Sequence, residues 1–193
     1  MPDYNGVNAG AVHSASDWSN TKMYKEAIES QKGKGNGKML ILAGRGDSGK
    51  GTAVKGKIDV ASHPLVLDQT SDNYDKVVGQ IAAAKAKGYD RIHLHRPASG
   101  IGIGGIVDRA MISHGKGETP RTVPLSRALD SNLKARKVAL RMLEEHPELQ
   151  PSVLDNNLGF GFAKHIPDPE EAKDFLRSKI AETEELVAVT RTD

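Results

Sequence analysis

A chain of 193 residues with 27 Lys and Arg against 25 Asp and Glu has a net charge of +2, too near neutrality to argue for a nucleic-acid or anionic-membrane partner. An apolar fraction of 37% supports one core, and with aromatics at only 4% that core must be built from Val, Ile, Leu and Ala. There is no cysteine, which excludes disulfides, thiolate zinc sites and cysteine nucleophiles together and fits a reducing compartment.

In chain order, the N-terminal MPDYNGVNAGAVHSASDW lacks the basic-then-apolar order of a signal peptide. No run approaches the ~20 apolar residues a membrane span needs, so a soluble, cytoplasmic protein is expected. Residues 1–16, rich in Gly, Ala, Ser and Asn, have no fixed structure of their own. Ser16 or Asp17 caps a short helix through DWSNTKMYKEAIESQ, where Trp18, Met23, Ala27 and Ile28 are the candidates for burial. KGKGNGK at 32–38 is a flexible cationic hinge. Residues 1–37 therefore form an arm. It either docks on a neighbouring subunit or protein partner through Trp18 and Tyr24, or is a disordered leader.

A core over 38–164 comes next. KMLILAG reads as a strand buried on both faces of a parallel sheet, and PLVLDQT (64–70) as a second buried strand opened by a proline. SDNYDKVVGQIAAAKAKGYD is a helix capped by Ser71 or Asp72 and stopped at Gly88. RIHLH (91–95) is a third strand, 102–114 a short helix, and SHGKGETPRTVP (113–124) a polar loop. A long helix spans about 125–146, and SVLDNN (152–157) is a fourth strand. Residues 165–193 form a C-terminal helix and tail, the helix running from about 168 to 185 with Asp168 as cap and Pro169 at its first position. Strands alternating with helices predict an α/β fold, a three-layer sandwich of the P-loop NTPase or kinase kind with a mainly parallel sheet.

Directly after the first strand lies GRGDSGKGT, residues 44–52. Arg45-Gly46-Asp47-Ser48 spells an adhesion tag, but that use needs an exposed extracellular loop, which nothing else in the chain supports. The phosphate-loop reading has more behind it. A buried strand delivers the chain, small residues let backbone N–H groups converge on an anion, and a helical stretch succeeds them. Gly44-x-x-x-x-Gly49-Lys50 has Walker A spacing, with Gly44, Gly46, Ser48, Gly49, Lys50, Gly51 and Thr52 as the phosphate-binding set and Lys50 reaching the β/γ-phosphates. The hydroxyl residue that normally comes after the lysine is here Gly51, with Thr52 next. Mg²⁺ is therefore expected on Thr52 or Asp68, or through water. GIGIGG (100–105) formally fits a dinucleotide fingerprint, but no acid stands about twenty residues on, so it reads as a loop and close helix packing.

From the loop onward, over roughly 38–160, the order of motifs resembles the zeta-toxin family of P-loop kinases and its phage and mobile-element relatives. Asp68-Gln69-Thr70 resembles that family's E-G-T signature, AAKAKGYD its A-K-G-Y turn, and TPRTVP its R-x-x-P segment. The resemblance implies phosphate-contacting arginines at Arg109 and Arg121 and, through VLDNNLG, a base-side loop containing Asn156 and Asn157. Family members that phosphorylate a sugar nucleotide carry a sizeable segment, with the catalytic aspartate, before the E-G-T strand. Here only residues 51–67 fill that interval, with Asp59 as its acid, so the acceptor region is shortened and that substrate does not carry over.

The residues support a phosphotransferase on their own terms, because phosphoryl transfer is mostly positioning and charge neutralisation. HGKGETPR has glycines for movement and two cations, Lys116 and Arg121, to close over phosphates. Asp68, at the carboxyl end of a strand beside the loop, manages Mg²⁺ or an acceptor proton, or else caps the next helix. Asp47 is a weaker base; Asp72 and Asn73 line the acceptor side. Arg136 falls on the leucine stripe of the long helix, and either snorkels to its edge or meets a phosphate or carboxylate. His93 and His95 read as core or sheet-end histidines rather than a metal pair. The expected function is ATP- or GTP-dependent phosphoryl transfer, with Mg²⁺, to a small hydroxyl-bearing acceptor. The alternative is a catalytically reduced P-loop domain that binds nucleotide or serves assembly in a phage or mobile element.

Overall fold

A computed structural model describes residues 21–30, 37–44, 62–98, 111–112, 114–117, 125–155 and 164–190. Among these, helix α1 (21–30) precedes strand β1 (Lys38–Ala43), β2 (Leu65–Gln69), helix α2 (Tyr74–Lys85) and β3 (Arg91–Ala98). Helix α3 (Leu125–Glu145), β4 (Gln150–Asp155), β5 (Lys164–Ile166) and α4 (Pro169–Thr190) complete the order. The fold is mixed α/β. Its five strands form one sheet in the order β2-β1-β3-β4-β5. The β1–β2, β1–β3 and β3–β4 pairs are parallel, and β5 closes the far edge antiparallel to β4.

β1 sits inside this sheet because its sequence has no polar face. Met39, Ile41 and Ala43 alternate with Leu40 and Leu42, and all five are buried. Each large aliphatic side chain so buried contributes about 1.5–3 kcal/mol over leaving it exposed. β2, expected as a buried strand, is instead the edge strand: Leu65 is buried, but Val66 and Asp68 are exposed. An apolar run does not by itself tell an edge strand from a central one. β5 is an addition to the expected strands, since three residues reading KHI carry no strand pattern. It is held by pairing with β4 and by Ser152 Oγ, 2.6 Å from His165 Nε2.

β3 is longer than its RIHLH core and takes in Pro97. Proline cannot donate to a ladder and is scarce in central strands. Here β1 pairs with β3 only as far as Leu42↔His95, while β3 and β4 continue together to Ala98↔Asp155. Pro97 therefore lies where β3 has lost one neighbour. The two strands part at their carboxyl ends.

One continuous core joins Met39 and Ile41 of β1, Ile92 and Leu94 of β3 and Val153 of β4 to all four helices. α1 enters it through Tyr24 and Ile28, with Ala27 partly buried. Met23, a candidate for burial, is 63% exposed, and Tyr24, read either as a docking residue or as part of a disordered leader, is buried within its own chain. The Tyr24 hydroxyl donates to Gln80 O of α2 at 2.7 Å, and burial lifts its pKa above the usual tyrosine value.

The caps explain where the helices begin and stop. Asn73 caps α2, its side chain accepting from Lys76 N–H at 3.0 Å, in place of the expected Ser71 or Asp72. At the other end Gly88 stops the helix as expected. With φ of 92° its N–H donates to Lys85 O, and Tyr89 N–H reaches back to Ala84 O, a Schellman-type closure. Asp168 caps α4 by accepting from Glu171 N–H at 2.8 Å, and the helix runs on to Thr190, past the expected end.

Arg136 does not snorkel to the edge of the leucine stripe. It is 4% exposed and lies between α3 and α4. Its Nη1 donates to Lys179 O at 2.7 Å and to Thr183 Oγ1, and Thr183 in turn donates to Lys179 O. Desolvation lowers its pKa, opposed by the nearby Glu182 charge. A helix that offers a side-chain hydroxyl and a carbonyl already occupied once supplies acceptors for a buried guanidinium.

Candidate functional site

The carboxyl ends of the parallel strands converge on one edge of the sheet. From β1 the chain goes to β2 on one side, and β3 and β4 then build out on the other, so the strand order reverses around β1. In open α/β sheets ligands bind at this reversal, outside the carboxyl ends. The parting of β1 from β3 after Leu42↔His95 marks the same place.

Gly44 is the first residue beyond β1 and is buried. Its N–H donates to Gln69 O at 3.0 Å, carrying the β1–β2 ladder into the start of the glycine-rich segment. Its φ of 152° belongs to glycine rather than to residues with a Cβ. Asp68 stands on the neighbouring strand with Leu42 as its register partner, exposed near the carboxyl end of β2. The N-cap of α2 is Asn73. Asp72, beside it, is exposed.

Gly44 and Asp68 are thus brought to one edge. Gly46, Ser48, Gly49, Lys50, Gly51, Thr52, Arg109, Arg121, Asn156 and Asn157 lie outside the described residues, as do Asp47, Asp59 and Trp18. Asn156 and Asn157 come directly after Asp155, which ends β4 at the same sheet edge. Lys116 is exposed in a turn in which Gly117 has φ of 72°. His93 and His95 occupy alternate positions of β3, in register with Gln150 and Ser152. Among the described residues no group of three His, Asp or Glu is placed to hold a metal ion. No described helix is long and apolar enough to cross a membrane.

One residue at this edge reads in the sequence only as a helix cap. Ser71 lies two positions beyond β2, has φ of 57°, is 7% exposed, and its Oγ is buried without a hydrogen-bond partner. Nothing in the sequence distinguishes a serine used this way from an ordinary turn serine.

A second polar cluster braces α2 against the end of α3. The Tyr74 hydroxyl donates to Glu145 and lies 3.1 Å from His146 Nε2, and the Arg141 guanidinium stacks 3.7 Å above the Tyr74 ring. Arg141 and Tyr74 hold the Glu145 carboxyl below the usual range. Next to it, Lys85 sits 2.6 Å from Glu148 and, with a backbone hydrogen bond, takes that carboxyl down to about 2. These groups are mutually paired, with Tyr74 and His146 partly buried, and serve as braces between α2 and the end of α3.

The chain matches no protein-family model and no curated protein sequence.

Proposed function

We propose that this protein is an ATP- or GTP-dependent phosphotransferase of the zeta-toxin-like P-loop kinase type, acting on a small hydroxyl-bearing acceptor. The observation that carries the reading is the position of β1. A strand apolar on both faces ends at the reversal of strand order, and the residue that leaves it is the first glycine of G-R-G-D-S-G-K-G-T. That is the setting in which a glycine-rich turn presents backbone N–H groups to a polyphosphate.

In this reading the loop amides of Gly46, Ser48, Gly49 and Gly51 hold the phosphates, and Lys50 neutralises the β/γ charge. Arg109 and Arg121 offset charge that develops during transfer, and Asn156 and Asn157 stand beside the base. Asp68 is exposed at the right sheet edge to receive the acceptor's proton or to orient water around Mg²⁺. Thr52 supplies the remaining hydroxyl. Thr52 and Asp68 would hold Mg²⁺, which would lower the charge on the phosphates.

A second reading keeps the nucleotide and drops the turnover: a catalytically reduced P-loop domain used for binding or assembly. Gly51 in place of the Walker hydroxyl and the short 51–67 interval favour it. Single-turnover assays with γ-labelled ATP and GTP over a panel of small alcohols and sugars separate the two. Transfer that disappears in Asp68→Asn supports the kinase. Tight nucleotide binding with no transfer to any acceptor supports the reduced domain.

A further inference from the structure

We propose that the His146 ring is a proton-sensitive clasp between helix α2 and the end of α3. With a second proton it joins two separate grips on α2 into one network; without that proton the link between them breaks. The grips lie at opposite ends of α2. At its first residue, the Tyr74 hydroxyl donates to Glu145, which also accepts from Arg141 Nε at 2.7 Å. At its last residue, Lys85 Nζ donates to Glu148 Oε1 at 2.6 Å. His146 reaches both, its Nε2 lying 3.1 Å from the Tyr74 hydroxyl and its Nδ1 3.4 Å from Glu148 Oε1. No part of this clasp belongs to the proposed nucleotide site.

Counting protons decides what the ring must carry. A tyrosine hydroxyl has one proton, and that of Tyr74 is spent on Glu145. Towards His146 the phenol oxygen can then only accept, so Nε2 must be an N–H. Glu148 Oε1 is a carboxylate oxygen and also only accepts, so Nδ1 must be an N–H as well. A neutral imidazole has a single N–H and satisfies one side, whereas the imidazolium satisfies both. The neighbours keep their own states where imidazoles titrate. Arg141 and Tyr74 hold the Glu145 carboxyl below the usual range, and Lys85 takes that of Glu148 to about 2. The bond to Glu145 holds the Tyr74 proton above the ordinary tyrosine value. Charge points the same way. Among the described residues the acids at the cluster are Asp75, Glu145 and Glu148, and the cations are Arg141 and Lys85. A second proton on His146 adds the cation that balances them.

The test follows amide hydrogen exchange along α2 in the full chain, corrected for the pH dependence of exchange itself. Wild type, His146→Gln and Tyr74→Phe are compared at about pH 5.5 and about pH 8, on either side of the ordinary imidazole range. Wild-type protection of α2 should be about threefold to fivefold higher at the acid pH, the scale of one partly exposed ion pair. Most of that gain should vanish in both variants. Glutamine takes up no proton, and without the Tyr74 hydroxyl a neutral ring with its hydrogen on Nδ1 satisfies Glu148. A histidine that only filled space would instead lose protection equally at both pH values in His146→Gln. Wild-type protection that is equal at the two pH values, or higher at the alkaline one, overturns the clasp whether or not the variants fold. A gain that survives undiminished in either variant overturns it too.

Discussion

The amide of Gly44 donates to the carbonyl of Gln69 at 3.0 Å, so the parallel ladder does not end with β1 but fixes the first residue of the glycine-rich segment to the neighbouring strand. The root of the segment is therefore tied to β2. With φ of 152°, Gly44 tolerates no Cβ without strain. Gly44→Val is expected to destabilise the fold by about 1–3 kcal/mol, read by urea denaturation, and to weaken nucleotide binding in the fraction that remains folded.

The α3–α4 interface makes a counterintuitive prediction. Arg136 is buried against Lys179 O and Thr183 Oγ1, and Thr183 keeps its own bond to Lys179 O when the guanidinium is gone. Arg136→Met retains the apolar stem and removes a buried charge, so its stability should stay within about 1 kcal/mol of wild type. Thr183→Val takes an acceptor from a buried cation and should cost about 1–3 kcal/mol. Chemical denaturation gives the order directly. Neither change should shift nucleotide affinity, since the arginine is already engaged between two helices.

Alkali should loosen the docking of α1. Burial raises the Tyr24 and Tyr89 phenols above the ordinary 10.0, which means the folded chain holds those protons more tightly than the unfolded chain. Their contribution is complete below that value and declines as pH rises through the folded pKa. Tyr24→Phe loses the bond to Gln80 O and should be about 1 kcal/mol less stable at neutral pH. Stability measured from about pH 8 to about pH 11 should fall less steeply in the variant.

Acid acts through the opposite sign. The Glu148 carboxyl, brought to about 2 by Lys85 and a backbone hydrogen bond, favours folding above the ordinary 4.5 and loses that effect as pH falls toward 2. Both partners are substantially exposed, so the pair is worth at most about 1 kcal/mol. Lys85→Met should flatten the acid limb of the stability profile by no more than that.

What could be read from the sequence was local. The strand at β1 shows in five consecutive apolar residues, the stop at Gly88 in a glycine after a helical pattern, and the start of α4 in Asp168-Pro169. Long-range relations were not legible. β2 opens on an apolar run as β1 does, and its place at the sheet edge exposes Val66 and Asp68. β5 exists because β4 offers it a free edge, and Arg136 is satisfied by Lys179 O, 43 residues away. The choice of Asn73 over Ser71 as cap turns on the backbone conformation of Ser71, which composition does not reveal. Of the candidate site, Gly44 and Asp68 were legible and do share an edge, while the buried hydroxyl of Ser71 carried no signal.

The central claim is that the segment leaving β1 binds a nucleotide polyphosphate with Lys50 as its cation. Calorimetric titration of wild type and Lys50→Ala with ATP and GTP, in the presence of Mg²⁺, tests it most directly. The account predicts saturable binding of at least one nucleotide by wild type and its loss in Lys50→Ala at unchanged melting temperature. Equal binding by the two proteins, or none by wild type, would contradict it.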